Sequence, residues 1–279
     1  MDIVKDIDEL VGKSRNSTTM PALFLGHGSP MNAIEENEFV QGFRRVASEI
    51  ETPRAVLCIS AHWETNGTRV TGMEHPKTIH DFGGFPRKLF EVSYPAPGSP
   101  ELAEHIISAL SPLPAASDLS WGLDHGAWSV LKHLYPDAKV PVVQLSLDHN
   151  MQPEAHYELA IKLRSFRNKG ILILGSGNMV HNLNRIAWDK LETPGFAYDW
   201  AMEAASFMKQ GILDGNFQSL IHYKKAGLAV NMAIPTPEHF LPLIYSLGVS
   251  LPSDEITLFN DKPVGGSLTM TSVKFTPRN

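Results

Sequence analysis

Between residues 22 and 30 the chain reads Ala22-Leu-Phe-Leu-Gly-His27-Gly-Ser-Pro30, an apolar run that stops at glycines on both sides of a histidine. A short apolar run bounded by glycine and proline is typical of a buried strand followed by a tight turn. Residues 55–59 form a second such run that leads into Ser-Ala-His62-Trp, and residues 171–174 form a third that leads into Gly-Ser-Gly-Asn. Each junction predicts a strand that ends in a loop carrying polar groups.

Apolar residues at helical spacing separate these strands and predict an alternating fold. The pattern predicts further strands near residues 68–73, 140–147 and 267–275, and helices near residues 35–50, 100–110, 124–134, 154–168 and 200–213. We therefore expect an α/β fold with a mostly parallel central sheet and helices on both faces. Residues 1–20 are expected to be a lead-in segment and residues 21–279 a single domain, since no repeat or linker interrupts them.

The composition excludes several classes of function. A formal net charge of -6 provides no broad basic surface, so a nucleic-acid partner is not expected. No apolar run approaches the ~20 residues of a membrane span, and no secretory signal is evident, so we expect a cytoplasmic protein without membrane contact. With 12 histidines and one cysteine, any transition-metal site must use imidazole ligands, with carboxylate as a further choice.

Several histidines stand at the ends of predicted elements. Because the carboxyl ends of parallel strands meet at one edge of a sheet, His27, His62 and His181 are expected to come together there. We expect His181 in the first turn of a helix that follows residues 171–174. His239 follows a Thr-Pro-Glu sequence typical of a helix start, and is expected in a first turn as well. Four imidazoles in one place can hold a metal ion.

Each of these four histidines also has a structural interpretation. His27 could occupy a simple turn, although its flanking glycines favour close approach of the backbone to an ion. His62 fits a metal ligand and a core histidine beside Trp63 equally well. His181 could bond to the backbone of a helix, and His239 could be a surface residue of a first turn.

The other histidines carry weaker indications. His125 follows Asp124, a common helix cap, and is interpreted as a residue beside the site rather than a ligand. His80 and Asp81 lie in the long Gly-, Pro- and aromatic-rich loop at residues 74–100, where a lid group and a solvated turn are equally consistent. A structural role is expected for the remaining six: His75, His105, His133, His149, His156 and His222.

Common catalytic sequences are missing. Residues 175–180 have the first two glycines of a dinucleotide fingerprint but Val180 in place of the third. No Gly-x-Ser-x-Gly, His-Glu-x-x-His or Walker sequence occurs. Cys58 lies inside an apolar strand, and we expect it to be an inert packing residue.

Six motifs occur in order along the chain: Gly-His27-Gly-Ser-Pro-Met, Ser-Ala-His62-Trp, Thr-Ile-His80-Asp-Phe-Gly-Gly-Phe-Pro, Gly-Leu-Asp-His125-Gly, Gly-Asn-Met-Val-His181-Asn-Leu and Thr-Pro-Glu-His239. From about Pro21 to the carboxyl terminus the sequence resembles the class III extradiol ring-cleavage dioxygenases, the LigB-like family, with its DOPA dioxygenase branch the nearest. The resemblance implies a single α/β domain and O2-dependent cleavage of a catechol ring next to its two hydroxyls.

The resemblance also implies roles for individual residues. Three residues match the family's metal ligands: His27, His62 and His239. His181 matches the acid/base histidine and is expected to serve as a fourth ligand when substrate is absent, whereas His125 matches a histidine that orients substrate or dioxygen. Relatives that cleave protocatechuate use a Glu as third ligand, so Glu238 stays open as an alternative to His239.

The implied metal follows from the chemistry. Turnover is expected to need Fe2+, which can bind catecholate and O2 together, whereas Zn2+ is redox-silent but suits a set of neutral imidazoles as the resting metal. An unperturbed imidazole pKa of ~6.5 would make His181 a ready proton acceptor.

Two other classes of function stay open. A zinc hydrolase would activate a metal-bound water, although the sequence offers no dedicated carboxylate base for it. A non-catalytic interaction protein would retain the fold and most of the histidines, as animal proteins similar to this family do.

Overall fold

The computed structural model describes residues 19–278. The predicted lead-in segment at residues 1–20 therefore lies, apart from Thr19 and Met20, outside the described residues. Among the described residues, no helix is both long and apolar enough to cross a bilayer.

A large mixed sheet forms the centre of the fold. In chain order the described strands are β1 (Ala22–Gly26), β2 (Ala55–Thr65), β3 (Thr68–Thr71), β4 (Lys77–Thr78), β5 (Ala115–Asp118), β6 (Gly122–Leu123), β7 (Val142–Asp148), β8 (Ile171–Gly177), β9 (Glu255–Phe259), β10 (Pro263–Val264), β11 (Leu268–Thr269) and β12 (Ser272–Thr276). Eight of them pair in the order β5-β3-β7-β2-β8-β1-β12-β9. The four central strands β7, β2, β8 and β1 are parallel, and β12 and β9 add antiparallel strands at one edge.

Helices cover both faces of this sheet, as the sequence predicts. The described α-helices are α1 (Glu38–Ser48), α2 (Arg87–Phe90), α3 (Pro100–Leu110), α4 (His125–Leu134), α5 (Pro153–Leu163), α6 (Asp199–Leu213), α7 (Phe217–Ile221), α8 (Leu228–Ala233) and α9 (Leu241–Val249). Alternate strand residues face opposite ways. Phe24 and Leu57 contribute to one core with α5, α6 and α9, whereas Leu23 and Cys58 contribute to the other with α1 and α4. The α/β prediction is confirmed, and Cys58 is fully buried.

Some boundaries differ from the sequence prediction. Helix α1 begins at Glu38 rather than near residue 35, because the Asn37 side chain caps it by accepting the N–H groups of Phe39 and Val40. The predicted loop at residues 74–100 contains the short elements β4 and α2. Helix α5 ends at Leu163 and continues as a 3-10 helix (Arg164–Lys169), which Gly170 caps with a φ of 77° that suits glycine.

A buried ion pair joins the amino-terminal end of the described chain to its carboxyl-terminal strands. The Arg167 guanidinium donates to Asp254 Oδ2 at 2.7 Å and Oδ1 at 3.1 Å. It also donates to the carbonyls of Met20 at 2.7 Å and Val249 at 2.9 Å. Both charged side chains are inaccessible to solvent, so each depends on the other for compensation of its charge.

Replacement of one partner should therefore unfold the protein at lower denaturant. We expect Arg167→Met to lower the free energy of unfolding by about 3–5 kcal/mol, because the Asp254 carboxylate is left buried without its cation. Urea unfolding followed by circular dichroism measures this loss. Arg44→Met, which removes an exposed pair with Glu36, is the control and should cost less than about 1 kcal/mol. Equal losses in the two variants would contradict the interpretation.

Candidate metal centre and active site

Histidines meet at the carboxyl ends of the central parallel strands. His27 directly follows β1, and its backbone N–H donates to the Gly177 carbonyl at the end of β8. His62 lies near the end of β2, and His181 follows β8 by four residues. The expectation that separate segments bring these imidazoles together rests on the parallel pairing of β1, β8 and β2, which the structure contains.

An irregularity in β2 sets the direction of His62. Ile59 pairs with Leu145, but the next pair along β7 joins Glu64 to Leu147, so β2 has three more residues than β7 between these pairs. Extra residues in one strand leave the ladder and re-aim their side chains, and such bulges are frequent beside active sites. His62 lies within this bulge, which explains how a strand residue can face the edge of the sheet.

His181 is not in the first turn of a helix, so that prediction is wrong. Its backbone N–H donates to the Ala233 carbonyl, and it forms an isolated β-bridge with Leu268. The N–H of Asn182 likewise donates to the Ser267 carbonyl, outside the local segment. These backbone N–H groups therefore donate to carbonyls of other segments and not to carbonyls within a helix. Only a short 3-10 turn follows.

His239 lies in the turn just before a helix rather than in its first turn. Helix α9 begins at Leu241. The Thr236 hydroxyl donates to Glu238 Oε1 at 2.9 Å instead of capping the helix. The His239 carbonyl accepts the N–H of Asn178, and a Cβ added at Gly177 would lie 2.2 Å from that same carbonyl oxygen. The absence of a side chain at Gly177 thus allows the His239 segment to contact the end of β8.

The three residues expected to bind metal have the spacing of a ligand set. Ring centroids are 5.1 Å apart for His27 and His62, 5.4 Å for His27 and His239, and 5.1 Å for His62 and His239. Three imidazoles bound about 2.0 Å from one tetrahedral ion would have centroids about 5 Å apart. The Nε2 atoms of His27 and His62 are 3.2 Å apart, close to the about 3.3 Å expected for two nitrogens on such an ion. The donor set fits a divalent transition metal.

A second grouping is geometrically less suitable. The ligand atoms of His27, His62 and His125 lie within 4.8 Å of one another, as do those of His181, Glu238 and His239. However, the rings of His62 and His125 are only 3.9 Å apart, too close for two ligands on one tetrahedral ion. This spacing favours His239 over His125 as the third ligand.

In each of the three candidate ligands, Nδ1 contacts a neighbouring polar side chain. Nδ1 of His27 lies 3.1 Å from Ser176 Oγ, and Nδ1 of His239 lies 3.1 Å from Glu238 Oε1. Nδ1 of His62 lies 3.3 Å from Asp81 Oδ2. Partners of this kind fix the ring and its tautomer and leave Nε2 free to bind a metal.

His181 is stacked on His239. Their ring centroids are 3.5 Å apart and the ring planes differ by 7°. Nitrogen lone pairs lie in the plane of their ring, so two parallel stacked rings cannot direct them at the same ion. The predicted role of His181 as a fourth ligand therefore requires its ring to leave this stack.

The electrostatics of the cluster favour neutral imidazoles. Burial, followed by repulsion between neighbouring rings, lowers the pKa of His27 and of His62 well below the ordinary value. Burial and the nearby His239 ring lower the pKa of His181 to about 3, so the expectation of an unperturbed His181 is wrong. Burial is the largest single influence on Glu238 and opposes its ionisation, but hydrogen bonds from His239, the Glu238 backbone and Thr236, with the charge of His239, together lower the pKa of that carboxyl to about 2.

The remaining histidines lie away from the cluster. His80 Nε2 contacts the Val92 carbonyl, so of the loop pair it is Asp81 that contacts the cluster. His156 and His133 are buried; burial lowers the pKa of His156 to about 4, and its Nδ1 lies 3.0 Å from the Tyr245 hydroxyl. His105 lines a separate cavity of about 180 Å³ at the opposite, amino-terminal end of the central strands.

Sequence reasoning missed the residues that hold the imidazoles. Ser176, which contacts His27, lies in a Gly-Ser-Gly sequence that resembles part of a nucleotide motif, and Asp81, which contacts His62, lies in a loop that is equally consistent with a solvated turn. Glu238 was considered as a ligand but not as a partner of His239. The sequence feature that could identify these residues is their position, either next to a motif histidine or at the end of a strand.

The glycine after His125 supports the position of His62. A Cβ added at Gly126 would lie 2.7 Å from Cδ2 of His62 and 2.4 Å from Ser60 Oγ. We expect Gly126→Ala to displace the His62 ring and to weaken Zn2+ binding by about 10-fold or more, as loss of ligand support does elsewhere. Competition with a chromophoric chelator measures the dissociation constant.

Gly215→Ala is the control, since a Cβ there meets no atom within 4 Å and the residue follows helix α6, outside the loop at residues 79–85. Its Zn2+ affinity should equal that of the wild type. The interpretation is wrong if Gly126→Ala binds Zn2+ as tightly as this control does.

Comparison with known proteins identifies the family. Residues 21–262 match the model for the catalytic LigB subunit of aromatic ring-opening dioxygenase. The chain is 43% identical to the Escherichia coli (strain K12) 4,5-DOPA dioxygenase extradiol over 98% of both chains. It is 36% identical to the Beta vulgaris protein of the same name, over 91% of this chain and 95% of that one. The crystal structure of an uncharacterized Escherichia coli K12 protein superposes with a TM-score of 0.78 at 38% identity, covering 92% of this chain and 99% of the other. The chain thus belongs to the LigB family of aromatic ring-opening dioxygenases and is an extradiol dioxygenase homologue, as its motifs predict.

Proposed function

We propose that the protein cleaves the aromatic ring of a catechol with O2, next to the two ring hydroxyls, and that the reaction depends on a metal ion. His27, His62 and His239 would hold the ion. Fe2+ is the metal proposed for turnover, and Zn2+ would occupy the same ligands in a resting protein. A DOPA-like catechol is the proposed substrate class, since relatives from Escherichia coli and Beta vulgaris are named 4,5-DOPA dioxygenase extradiol.

The proposal rests mainly on the arrangement of the three imidazoles. Their centroids form a nearly equilateral triangle with sides of 5.1 to 5.4 Å. Their Nδ1 atoms all face other groups: a serine hydroxyl for His27, and carboxylates for His62 and His239. The Nε2 atoms of His27 and His62 lie 3.2 Å apart, a contact that a purely structural role of core histidines would not require.

The metal and the protein would have different tasks. When bound, Fe2+ would bind catecholate and O2 together and pass electron density between them, which redox-silent Zn2+ cannot do. His181, stacked on His239, lies beside the proposed ion and would accept a proton from a substrate hydroxyl and later return it. Burial lowers its pKa to about 3, so the ring is neutral at pH 7 but is a weak base. The step would therefore require a substrate hydroxyl made much more acidic by the metal ion.

His125 would hold substrate or dioxygen on the other side of the cluster. Its ring lies 3.9 Å from that of His62 and is almost fully buried. Phe82 packs edge-on against it at 5.5 Å and shields it from solvent. This apolar contact would keep water away from the groups that touch the substrate.

A zinc hydrolase is less compatible with the site. Such an enzyme needs a carboxylate that is free to take a proton from metal-bound water. The two carboxylates that contact the cluster, Asp81 and Glu238, both face imidazole Nδ1 atoms. An interaction protein without catalysis would not require three imidazoles with the spacing of metal ligands.

Reconstitution with defined metals tests the proposed function. We expect the metal-free protein loaded anaerobically with Fe2+ to consume O2 on addition of L-DOPA, and the Zn2+-loaded protein to consume none. An oxygen electrode and the absorbance of the ring-opened product measure the reaction. Simpler catechols define the substrate class. Hydrolysis of esters by the Zn2+ form, with no O2 uptake by the Fe2+ form, would replace the proposal with the hydrolase.

The role of His181 can be separated from metal binding. We expect His181→Ala to keep the Fe2+ content of the wild type and to lower kcat by about 10²–10⁴-fold, the usual contribution of a proton-transfer group. Metal analysis and single-turnover kinetics measure the two effects. His75→Ala, at an exposed position, is the control and should leave both unchanged. Unchanged turnover in His181→Ala would remove this residue from the acid/base role.

A further inference from the structure

One carboxylate of the long loop contacts two histidines of the site. Asp81 Oδ2 lies 3.3 Å from Nδ1 of His62 and 3.0 Å from Nδ1 of His125. Its other oxygen, Oδ1, accepts the backbone N–H of His125 at 2.8 Å. The carboxylate thus joins a proposed metal ligand to the histidine proposed to hold substrate.

We propose that Asp81 is a positioning residue that couples the order of the loop at residues 79–85 to metal binding by His62 and to the orientation of His125. This inference rests on the proposed function of the same site. It adds a residue outside the ligand set, and a physical link between the loop and the metal.

Contacts on both sides of Asp81 in the chain fix the direction of its side chain. On its amino-terminal side, the Ile79 carbonyl accepts the indole N–H of Trp128 at 2.7 Å. His80 Nε2 lies 2.9 Å from the Val92 carbonyl, which joins two parts of the loop. On its carboxyl-terminal side, Phe82 packs on Trp128 with ring centroids 6.2 Å apart. The carboxylate is therefore held at the cluster by the residues on both sides of it.

The contacts to the two imidazoles have a direct electronic consequence. A carboxylate at Nδ1 selects the tautomer that carries its proton there and leaves the lone pair on Nε2. For His62 this is the form that binds a metal, and a cation on Nε2 makes the Nδ1–H a stronger donor to Asp81. For His125 the same tautomer leaves Nε2 as the atom that faces substrate. One side chain thus orders both rings.

Coupling of this kind is reciprocal. If an ordered loop strengthens metal binding through Asp81, then metal binding must stabilise the ordered loop by the same factor. The contacts to Nδ1 are at ion-pair distance without the alignment of a hydrogen bond, and Nδ1 of His125 has no aligned acceptor among the described residues. A small shift of the loop would complete these hydrogen bonds. The metal-bound protein would then have aligned bonds to Asp81 that the metal-free protein lacks.

A purely structural role makes a different prediction. Asp81 Oδ1 accepts the first N–H of helix α4, a group that otherwise lacks an intrahelical partner. Asp81→Asn keeps the size of the side chain and an oxygen for that N–H, but removes the negative charge from Nδ1 of both rings. A structural cap would therefore tolerate Asp81→Asn, whereas the coupling would not.

Metal affinity is the first test, and it needs no turnover. We expect Asp81→Asn to raise the Zn2+ dissociation constant by about 10–100-fold, the usual effect of removing a partner of a metal ligand. With saturating Fe2+ the variant should show a reduced kcat, together with a raised KM for the catechol where His125 holds the substrate rather than dioxygen. Asp118→Asn is the matched control, because Asp118 also accepts backbone N–H groups in a loop, from Ser120 and Trp121. Its Zn2+ affinity should stay within twofold of the wild type.

Hydrogen exchange on the wild-type chain is the second test and requires no substitution. We expect amides of residues 79–85 to exchange at least several-fold more slowly after Zn2+ is added, while those of residues 115–121 keep their rate. Wild-type metal affinity in Asp81→Asn, or equal exchange of residues 79–85 with and without Zn2+, would overturn the inference. If both tests succeed but the Fe2+ form consumes no O2, the proposed function fails while the role of Asp81 stands.

Discussion

Close packing of imidazoles in a space with little water is the constraint on which this site depends. Protonation of His27 or His62 is opposed first by burial and then by repulsion from the neighbouring rings. The Nε2 atoms of two neutral rings, His27 and His62, lie 3.2 Å apart. The proposed divalent cation would accept lone pairs from both rings at once. We therefore expect metal binding and the stability of the fold at the carboxyl ends of the central strands to depend on each other.

The fold brings the histidines together through a strand irregularity and two close backbone contacts. The bulge in β2 breaks the ladder to turn His62 toward the edge. Two glycines permit contacts that any side chain would prevent: Gly177 against the His239 carbonyl, and Gly126 against the His62 ring. Sheet pairing alone would place the strands correctly but would leave two of the three rings without room.

The sequence predicts the α/β architecture and the edge at which the histidines meet, because apolar runs, turn residues and strand ends are local features of the chain. It does not predict the environment of His181, whose N–H is taken by Ala233, a residue far along the chain. The Asn178 N–H likewise bonds to the His239 carbonyl, and no local pattern encodes such a pairing. The partners of the imidazoles are distant for the same reason: Ser176 is 149 residues from His27 in sequence. Local periodicity finds ligands at strand ends, whereas their supporting groups depend on tertiary contacts.

The proposed use of His239 in place of a carboxylate ligand has a physical counterpart in this structure. A set of three neutral imidazoles leaves the full charge of a divalent ion uncompensated by its ligands. Here the negative charge lies one group further out, since Glu238 contacts Nδ1 of His239 and Asp81 contacts Nδ1 of His62. Glu238 Oε1 already accepts from both His239 and the Thr236 hydroxyl, which makes it a poor choice as a ligand itself. Charge that reaches the metal through an imidazole still increases the basicity of the ligand nitrogen, while the ion keeps more of its attraction for an anionic catecholate. The arrangement thus suits a site in which the negative charge at the metal would come from the substrate and not from the protein ligands.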